Sequence, residues 1–168
     1  MTSVGPPRRV LTPAGVERFA ERLAATARRR RLLSDDPPAA RSYEMIWADA
    51  HVNAWIIRWS DDADTGFHDH DGSAAGIVVL EGAVVEERLA LGAPPLMRRF
   101  GAGRSFHLPA AAIHRIRHAG GPSALTVHAY SPPLTVQGVY REGTEGALER
   151  YTVPYTEELR GELAAARA

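Results

Sequence analysis

The sequence predicts an all-β domain with a helix at each end, and the distribution of apolar residues supports this prediction. From Tyr43 onward the chain is a series of short stretches rich in β-branched and aromatic residues, bounded by Gly, Pro or Asp. Helical spacing of apolar residues is confined to segments near the two termini. Regularly spaced short strands separated by turn residues are typical of a β-sandwich or β-barrel. We therefore expect a small β-barrel with helical ends.

The predicted strands lie between about residues 43 and 140, which we assign to the barrel. Their composition fits a pleated and partly buried surface better than it fits a helix. The segments are VNAWIIRW (52–59), AGIVVLEGAVVEERL (75–89), RSFHLP (104–109), HRIR (114–117) and ALTVHAYS (124–131).

The first predicted helix lies in the N-terminal arm, about residues 1–38. Thr12 followed by Pro13 matches an N-cap residue and a proline at the first helical position. Apolar residues follow at helical spacing, and the arginines at 28–31 would suit the negative end of the helix dipole. The segment SDDPP (34–38) then predicts a break.

A second, short helix is predicted in the C-terminal extension, residues 141–168. Thr156, Glu157 and Glu158 precede Leu159 and Leu163, as in an amphipathic helix with acids in its first turn. A chain of 168 residues suffices for one domain with a substantial core. We therefore expect a single domain.

The composition excludes several kinds of chemistry. The chain has no cysteine, so thiolate nucleophiles, iron–sulfur clusters and cysteine-ligated zinc are ruled out. All 20 basic residues are arginines, so no lysine can form a Schiff base, and the formal net charge of zero favours neither nucleic acid nor an anionic membrane as partner. Because no segment resembles a signal peptide or a membrane span, we expect a cytoplasmic protein.

Two histidines stand two residues apart in the stretch GFHDHDGSAAG (66–76). Residues i and i+2 of a strand face the same way, so His68 and His70 can converge on one point. Neutral imidazole is a common ligand for first-row metal ions. The pair alone predicts either a metal site or an exposed polar strand edge.

A second motif strengthens the metal hypothesis. The stretch GRSFHLPAAAIHRIRH (103–118) places Gly103, Pro109 and His114 at fixed offsets. Together with the first motif, it resembles the paired motifs of the cupin superfamily. That resemblance implies a jelly-roll β-barrel in which His68, His70 and His114 coordinate a metal. Most cupins also carry a glutamate shortly after the second histidine, but here the corresponding window (73–75) holds only serine and alanine.

A cupin with three histidines and no glutamate resembles the cysteine dioxygenase family of thiol dioxygenases. The similarity runs from about residue 43 to 134. Its elements are Trp59 nine residues before His68, then HDH, LEG (80–82), PxxxxH (109–114) and HxYSPP (128–133). It implies a mononuclear non-haem Fe(II) and a reaction that adds both atoms of O2 to a thiol, giving a sulfinic acid. Our hypothesis for the missing carboxylate is that a bound thiolate supplies the negative charge.

The resemblance also implies an outer set of residues. Thr126, His128 and Tyr130 share one face of a strand and match a Ser/His/Tyr relay, in which Thr126 orients His128 and His128 orients the Tyr130 hydroxyl. The alternative is a half-buried strand with a packed tyrosine. Ala75 stands where animal members carry a cysteine that cross-links to the tyrosine, so that cross-link cannot form here.

The substrate pocket departs from the family pattern. Members that use cysteine carry Tyr-x-Arg, and here Tyr43 aligns while Met45 takes the position of the arginine that binds the carboxylate. We therefore expect a substrate other than free cysteine, such as an ergothioneine-like heteroaromatic thiol or 3-mercaptopropionate. The alternative is a cysteine dioxygenase proper in which another arginine replaces the missing one. The candidates for that replacement are Arg41, Arg58, Arg115 and Arg117.

Aromatic residues and one further histidine complete the predicted pocket. Trp47 and Trp55 would line an apolar or cation-binding surface together with Met45, or else belong to the core. We place Trp59 and His118 near the substrate as well, and we expect no metal role for His51 or His107. The partners would be a small thiol and O2, with the protein a monomer or weak homodimer.

A hypothesis from another class is a non-catalytic cupin that holds zinc or nickel and acts as a sensor or ligand-binding module. Such a module has no need for the HxY element at 128–130. A cupin isomerase or carbohydrate-acting enzyme would normally keep the glutamate. The sequence therefore favours the thiol dioxygenase.

Overall fold

The computed structural model describes residues 4–30, 41–60, 62–90, 92–143 and 147–155. The predicted break at 34–38 and the predicted C-terminal helix lie outside these ranges. Within them, no helix combines the length and apolar character needed to cross a membrane. The elements of these ranges are α1 Pro13–Arg30, β1 Arg41–Ala48, β2 Asn53–Trp59, β3 His68–Asp69, β4 Ala74–Glu81, β5 Ala83–Ala90, β6 Ala93–Gly101, β7 Ser105–Leu108, β8 His114–His118, β9 Ala124–Ser131, β10 Val136–Glu142 and β11 Leu148–Pro154.

The strands form two antiparallel sheets. One sheet has the order β1-β2-β9-β4-β7, and the other has the order β11-β10-β3-β8-β5-β6. The crossing connections between the sheets are those of a jelly roll, which confirms the predicted fold class. The sheets face each other as a sandwich and do not close into a continuous barrel.

Each predicted strand segment corresponds to observed strand. The segment 75–89 is two strands, because the chain reverses at Gly82 between β4 and β5. Gly82 has φ of +62°, and a Cβ at this position would lie 2.6 Å from the carbonyl oxygen of Ser123. Only glycine fits this conformation and this close approach without strain.

Several strands were not predicted as such, and most of them lie at sheet edges. β6 begins with alanine and two prolines, and most of its side chains are exposed. β11, at the opposite edge of the same sheet, is also largely exposed. Edge strands need neither a buried face nor a full set of backbone donors, so their sequences lack the apolar alternation that marks inner strands.

Two cores hold the domain together. The inter-sheet core contains apolar residues from both sheets, including Trp59, Ile77 and Ile116. The helix-side core lies between α1 and the outer face of the five-stranded sheet, and it buries Val16 and Phe19 of the helix. The alternation of strand side chains therefore separates residues that face the sandwich interior from those that face the helix.

The start of α1 matches the prediction. The backbone N–H of Gly15 donates a hydrogen bond to Oγ1 of Thr12 at 3.2 Å, as an N-cap requires. Close packing of the helix depends on Gly76 in β4, where a Cβ would lie 2.5 Å from the backbone nitrogen of Glu17.

Thr12→Ala is expected to lower the free energy of unfolding by about 1 kcal/mol, because the first turn of α1 loses its side-chain acceptor. Urea denaturation followed by circular dichroism measures this change. The control is Thr26→Ala, whose exposed hydroxyl bonds the carbonyl of Arg22 within the helix. Alanine favours the helix interior, so Thr26→Ala should be neutral or stabilising. Equal losses in both variants would contradict the capping role.

Candidate metal centre and catalytic pocket

Three histidines meet inside the sandwich. β3 lies between β10 and β8 in the six-stranded sheet, and His68 of β3 is the direct partner of His114 in β8. His70 follows β3 immediately and faces the same way as His68. One nitrogen from each of these three rings lies within 4.8 Å of the others, and all three side chains are buried.

The geometry of the three rings fits a metal ion. His70 Nε2 lies 3.4 Å from His114 Nε2. His68 Nδ1 lies 3.0 Å from the carbonyl oxygen of Gly66, which accepts a hydrogen bond when Nδ1 is protonated and leaves Nε2 as the metal donor. Nitrogen donors that share one ion at roughly 2.1 Å are about 3 to 3.6 Å apart. The predicted ligands are therefore brought together in a suitable arrangement.

The electrostatics of the cluster also favour metal binding. Burial, reinforced by the neighbouring histidines, holds the pKa of both His70 and His114 well below the usual range for histidine. The two rings are therefore neutral near pH 7, with a lone pair available on each. Across the described part of the chain, no carboxylate joins the cluster. The donor set is three imidazole nitrogens.

The window in which most cupins carry glutamate is filled by small buried side chains. Ala74 belongs to the helix-side core, whereas Ala75 faces the sandwich interior. Ala75 pairs directly with Tyr130 across β4 and β9. This pairing places the Ala75 side chain beside that of Tyr130 on the inner face of the sheet.

Tyr130 and His128 lie beside the metal ligands. The Tyr130 ring is centred 5.0 Å from the His70 ring, and the Tyr130 hydroxyl lies 3.2 Å from His128 Nδ1. Burial, followed by the charge of Arg41 and the proximity of His68, lowers the pKa of His128 to about 3. His128 is therefore neutral near pH 7 and can share a proton with the tyrosine hydroxyl.

Thr126 occupies a different position from the one predicted for it. Its Oγ1 accepts a hydrogen bond from Trp59 Nε1 at 2.8 Å and donates one to the carbonyl of Ile57 at 3.4 Å. Thr126 therefore holds Trp59 in place and makes no hydrogen bond to His128, which corrects its assignment as the third member of a relay. The indole N–H of Trp59, which was not part of the predicted relay, donates to the Thr126 hydroxyl.

A narrow cavity of about 20 Å³ opens in front of the three rings, room for roughly one or two water molecules. Its walls combine the metal ligands and His128 with apolar side chains and one cation. The lining residues are Arg41, Ile57, Trp59, Thr65, His68, His70, His114, Ile116, His128 and Tyr130.

Arg41 is the cation in this cavity. It lies at the start of β1 as the direct partner of Trp59, and its guanidinium carbon is 5.5 Å from the centre of the Trp59 ring. Its charge acts on His128, as the lowered pKa of that ring shows. Arg41, Tyr43 and Met45 share one face of β1, so the chain carries an arginine two residues before the tyrosine instead of two residues after it.

The other candidate arginines lie elsewhere. Arg58 pairs with Leu125 of the helix-side core, so it faces away from the cavity. Arg115 and Arg117 both contact the carboxylate of Glu87, at 2.7 and 2.9 Å. Neither lines the cavity.

The predicted aromatic pocket is only partly assembled. Trp55 belongs to the inter-sheet core, where its ring is centred 5.6 Å from Tyr130 and 4.9 Å from Tyr155. Trp47 lies on the helix side, packed against Phe19 at 5.3 Å. Because it follows the irregularity in β1 between residues 45 and 47, it faces the helix, contrary to its predicted place in the pocket.

Tyr43 and Met45, which align with the tyrosine and the arginine of the family's Tyr-x-Arg element, differ in burial. Tyr43 packs against the inter-sheet core and is not among the residues that line the cavity. Met45 shares its face, but its side chain is 46% exposed. Met45 therefore contributes little to the enclosed wall.

The three histidines without a metal role lie away from the cluster. His118 is at the far end of β8, where its Nε2 is 3.0 Å from the carbonyl of Pro122, and it borders a separate groove. This position is contrary to the expected substrate contact. His107 pairs with the carboxylate of Glu17 on the helix surface, and His51 lies in a bend before β2.

Gln137 was not predicted as a site residue. Continuing the β3–β10 register from Gly138 and Asp69 places it beside His70. It is fully buried, and its amide has no hydrogen-bond partner among the described residues. A single glutamine in a strand belongs to no motif, so only the strand pairing reveals this polar group next to a metal ligand.

Comparisons with solved structures support the fold. The protein TT1209 from Thermus thermophilus matches with a TM-score of 0.53 and 20% identity, over 62% of this chain and 93% of that one. KdgF from a Halomonas species matches with a TM-score of 0.50 and 19% identity, over 61% of this chain and 90% of that one. A double-stranded β-helix protein from Klebsiella pneumoniae matches with a TM-score of 0.50 and 11% identity, over 59% and 78%. No curated protein matches the sequence significantly.

The family comparison is more specific. The model of the family described as cysteine dioxygenase type I matches residues 36–142, which is more than half of the chain. This range contains the three clustered histidines and the Tyr130–His128 pair. Family and cluster together imply a bound metal ion. The chain belongs to the cysteine dioxygenase type I family.

Proposed function

We propose that the protein is a non-haem Fe(II) thiol dioxygenase that converts a small thiol and O2 into the corresponding sulfinic acid. Both oxygen atoms are added to sulfur, so RSH and O2 together account for every atom of RSO2H. The observation that carries this proposal is the cluster of three buried histidines, which no carboxylate of the described residues joins, with Tyr130 beside it. The ferrous ion, when bound at His68, His70 and His114, would supply coordination of the thiolate and activation of O2.

The side chains around the cluster would orient the substrate and keep out water. The Tyr130 ring is centred 5.0 Å from the His70 ring, so its hydroxyl would hydrogen-bond a bound substrate, and neutral His128 would hold that hydroxyl in place. Ile57, Ile116 and Trp59 form the apolar part of the wall. A closed apolar wall limits competing oxidation of the thiol by solvent species.

The substrate we favour is a small aliphatic thiol that carries a carboxylate. Arg41 supplies a cation inside the cavity, and a guanidinium pairs with a carboxylate through two parallel hydrogen bonds. This supports either 3-mercaptopropionate or cysteine, with the arginine relocated along β1. Trp47 lies on the helix side, so one of the aromatic residues expected to hold a heteroaromatic thiol of the ergothioneine type is absent from the cavity.

Oxygen uptake by the iron-loaded protein tests this proposal. The protein would be loaded with Fe(II) without oxygen and then mixed with air-saturated buffer and one thiol at a time. The panel is cysteine, 3-mercaptopropionate, cysteamine, mercaptosuccinate and ergothioneine, with sulfinate detected by mass spectrometry. We expect one O2 consumed per sulfinate formed, with the carboxylate-bearing thiols preferred. No coupled uptake with any thiol would overturn the assignment.

Tyr130→Phe is expected to lower kcat by about 10²-fold or more while leaving metal content unchanged, because the hydroxyl near the ligands is lost but no donor is removed. Metal analysis and oxygen uptake on the same sample separate the two effects. Tyr151→Phe is the matched control, since Tyr151 is 46% exposed on β11. Wild-type turnover in Tyr130→Phe would remove the hydroxyl from the mechanism.

A non-catalytic metal-binding module is the second candidate, because three histidines also form a common zinc site. The metal bound after expression in medium containing several metals, together with the uptake assay, distinguishes the two. Tight zinc binding with no turnover by the iron-loaded protein would favour the module.

A further inference from the structure

The strand that carries His68, with His70 immediately after it, is very short. β3 comprises only His68 and Asp69, and it pairs with β8 through one residue and with β10 through two. Few backbone hydrogen bonds therefore hold the ligand-bearing segment. Strand geometry sends the Asp69 side chain to the face opposite the two histidines.

The Asp69 carboxylate is held by side chains from the neighbouring hairpin. Arg150 of β11 donates from Nε to Oδ2 at 2.7 Å and from Nη2 to Oδ1 at 2.9 Å. The Tyr140 hydroxyl donates to Oδ2 at 2.6 Å, and Arg150 Nη2 also contacts Asp71 at 2.8 Å. Asp69 and Asp71, which flank His70, are therefore both bound by Arg150 of β11, a strand separated from β3 by β10.

Gly138 makes this contact possible. It lies on β10 directly between Asp69 and Thr152, and a Cβ there would overlap the Arg150 guanidinium and the Asp69 carboxylate. The guanidinium therefore crosses β10 over the one residue without a side chain. The planar Arg150 guanidinium makes two hydrogen bonds to the Asp69 carboxylate, and this pair of bonds fixes the orientation of the carboxylate as well as its distance.

We infer that Arg150 is a positioning residue for the metal: it clamps Asp69 and thereby holds His68 and His70 in their ligand geometry. The inference rests on the metal site of the proposed function and not on its reaction. An isolated surface ion pair contributes little to stability, but groups that orient metal ligands affect affinity more strongly. Arg150 lies outside the HDH motif in sequence and is placed beside it only by the β10–β11 hairpin.

Metal affinity of Arg150 variants tests the inference. Arg150→Met keeps an unbranched apolar stem but removes the hydrogen bonds to Asp69 and Asp71, and Arg150→Lys keeps the charge but not the fork. We expect Arg150→Met to weaken Co(II) or Fe(II) binding by about 10-fold or more, with Arg150→Lys in between. Competition with a chromophoric chelator under anaerobic conditions measures this without any turnover.

Arg141→Met is the matched control, because Arg141 lies on the same hairpin and its guanidinium packs over the exposed Tyr151 ring. It should bind metal as the wild type does. Equal loss of affinity in the two variants would show that any weakening of the hairpin suffices and would overturn the specific role of Arg150.

A double-mutant cycle with Asp69→Asn separates a clamp from a general effect. If Arg150 acts through Asp69, the double variant should bind metal no more weakly than the weaker single variant. Additive losses, or unchanged affinity in Arg150→Met, would refute the inference. The metal titration needs neither thiol nor O2. Its result therefore tests the role of Arg150 independently of the proposed reaction.

Discussion

His114→Ala is expected to abolish stable metal binding and all thiol-dependent oxygen uptake. His114 is the single ligand from β8 and the direct strand partner of His68, so its removal leaves two nitrogens from one short segment. Two neutral imidazoles cannot retain a labile ion such as Fe(II) against dilution or a chelator. Metal analysis after gel filtration, followed by the uptake assay with added Fe(II), measures both losses.

The control for this experiment is His51→Ala. His51 lies in the bend before β2 and outside the cluster, so its loss should leave one metal per chain. Circular dichroism on both variants checks that the fold is retained. Full metal occupancy in folded His114→Ala would refute the three-histidine site.

Arg41→Met is expected to raise KM for carboxylate-bearing thiols by about 10- to 100-fold, with little change for cysteamine. A hydrogen bond to a charged group contributes roughly 1.5–3 kcal/mol, which corresponds to about one to two decades in affinity. Steady-state oxygen uptake with 3-mercaptopropionate, cysteine and cysteamine separates loss of the carboxylate contact from a general loss of activity.

Two further variants make the Arg41 experiment specific. Arg58→Met removes an arginine that faces the helix side of the same sheet, so it should leave all KM values unchanged. Met45→Arg added to Arg41→Met restores a cation on the same face of β1, and partial recovery is expected only with carboxylate-bearing thiols. Equal effects of Arg41→Met on all the thiols would show that Arg41 stabilises the pocket instead of binding the carboxylate.

Most of the inner strands could be predicted because each of them has a face that must be buried; β10 and the two-residue β3 were exceptions. Segments such as 52–59 and 124–131 carry apolar residues on both faces, since one face meets the other sheet and the other meets α1. Edge strands such as β6 and β11 bury little on either face, so their sequences lack a run of buried apolar residues that would identify them as strands. The helix start at Thr12 was also predictable, because an N-cap is a local interaction.

The metal ligands were predictable for a related reason. His68 and His70 are two residues apart, so strand geometry alone directs them to one side. His114 required the second motif, and in the fold it is the strand partner of His68. The contacts around the ligands were harder to predict from the sequence. The Thr126 hydroxyl accepts a hydrogen bond from the Trp59 indole N–H of the neighbouring strand and makes none to His128.

Local order in the sequence determined most of the inner strands, the helix start and the convergence of His68 and His70, because these depend on residues a few positions apart. Tertiary structure alone decided which arginine enters the cavity, which tryptophan faces the helix and which side chain holds the ligand strand. Those outcomes depend on pairings between distant segments, such as Arg41 with Trp59 and Arg150 with Asp69. The register of the strands sets these pairings, and no spacing within a single segment encodes it.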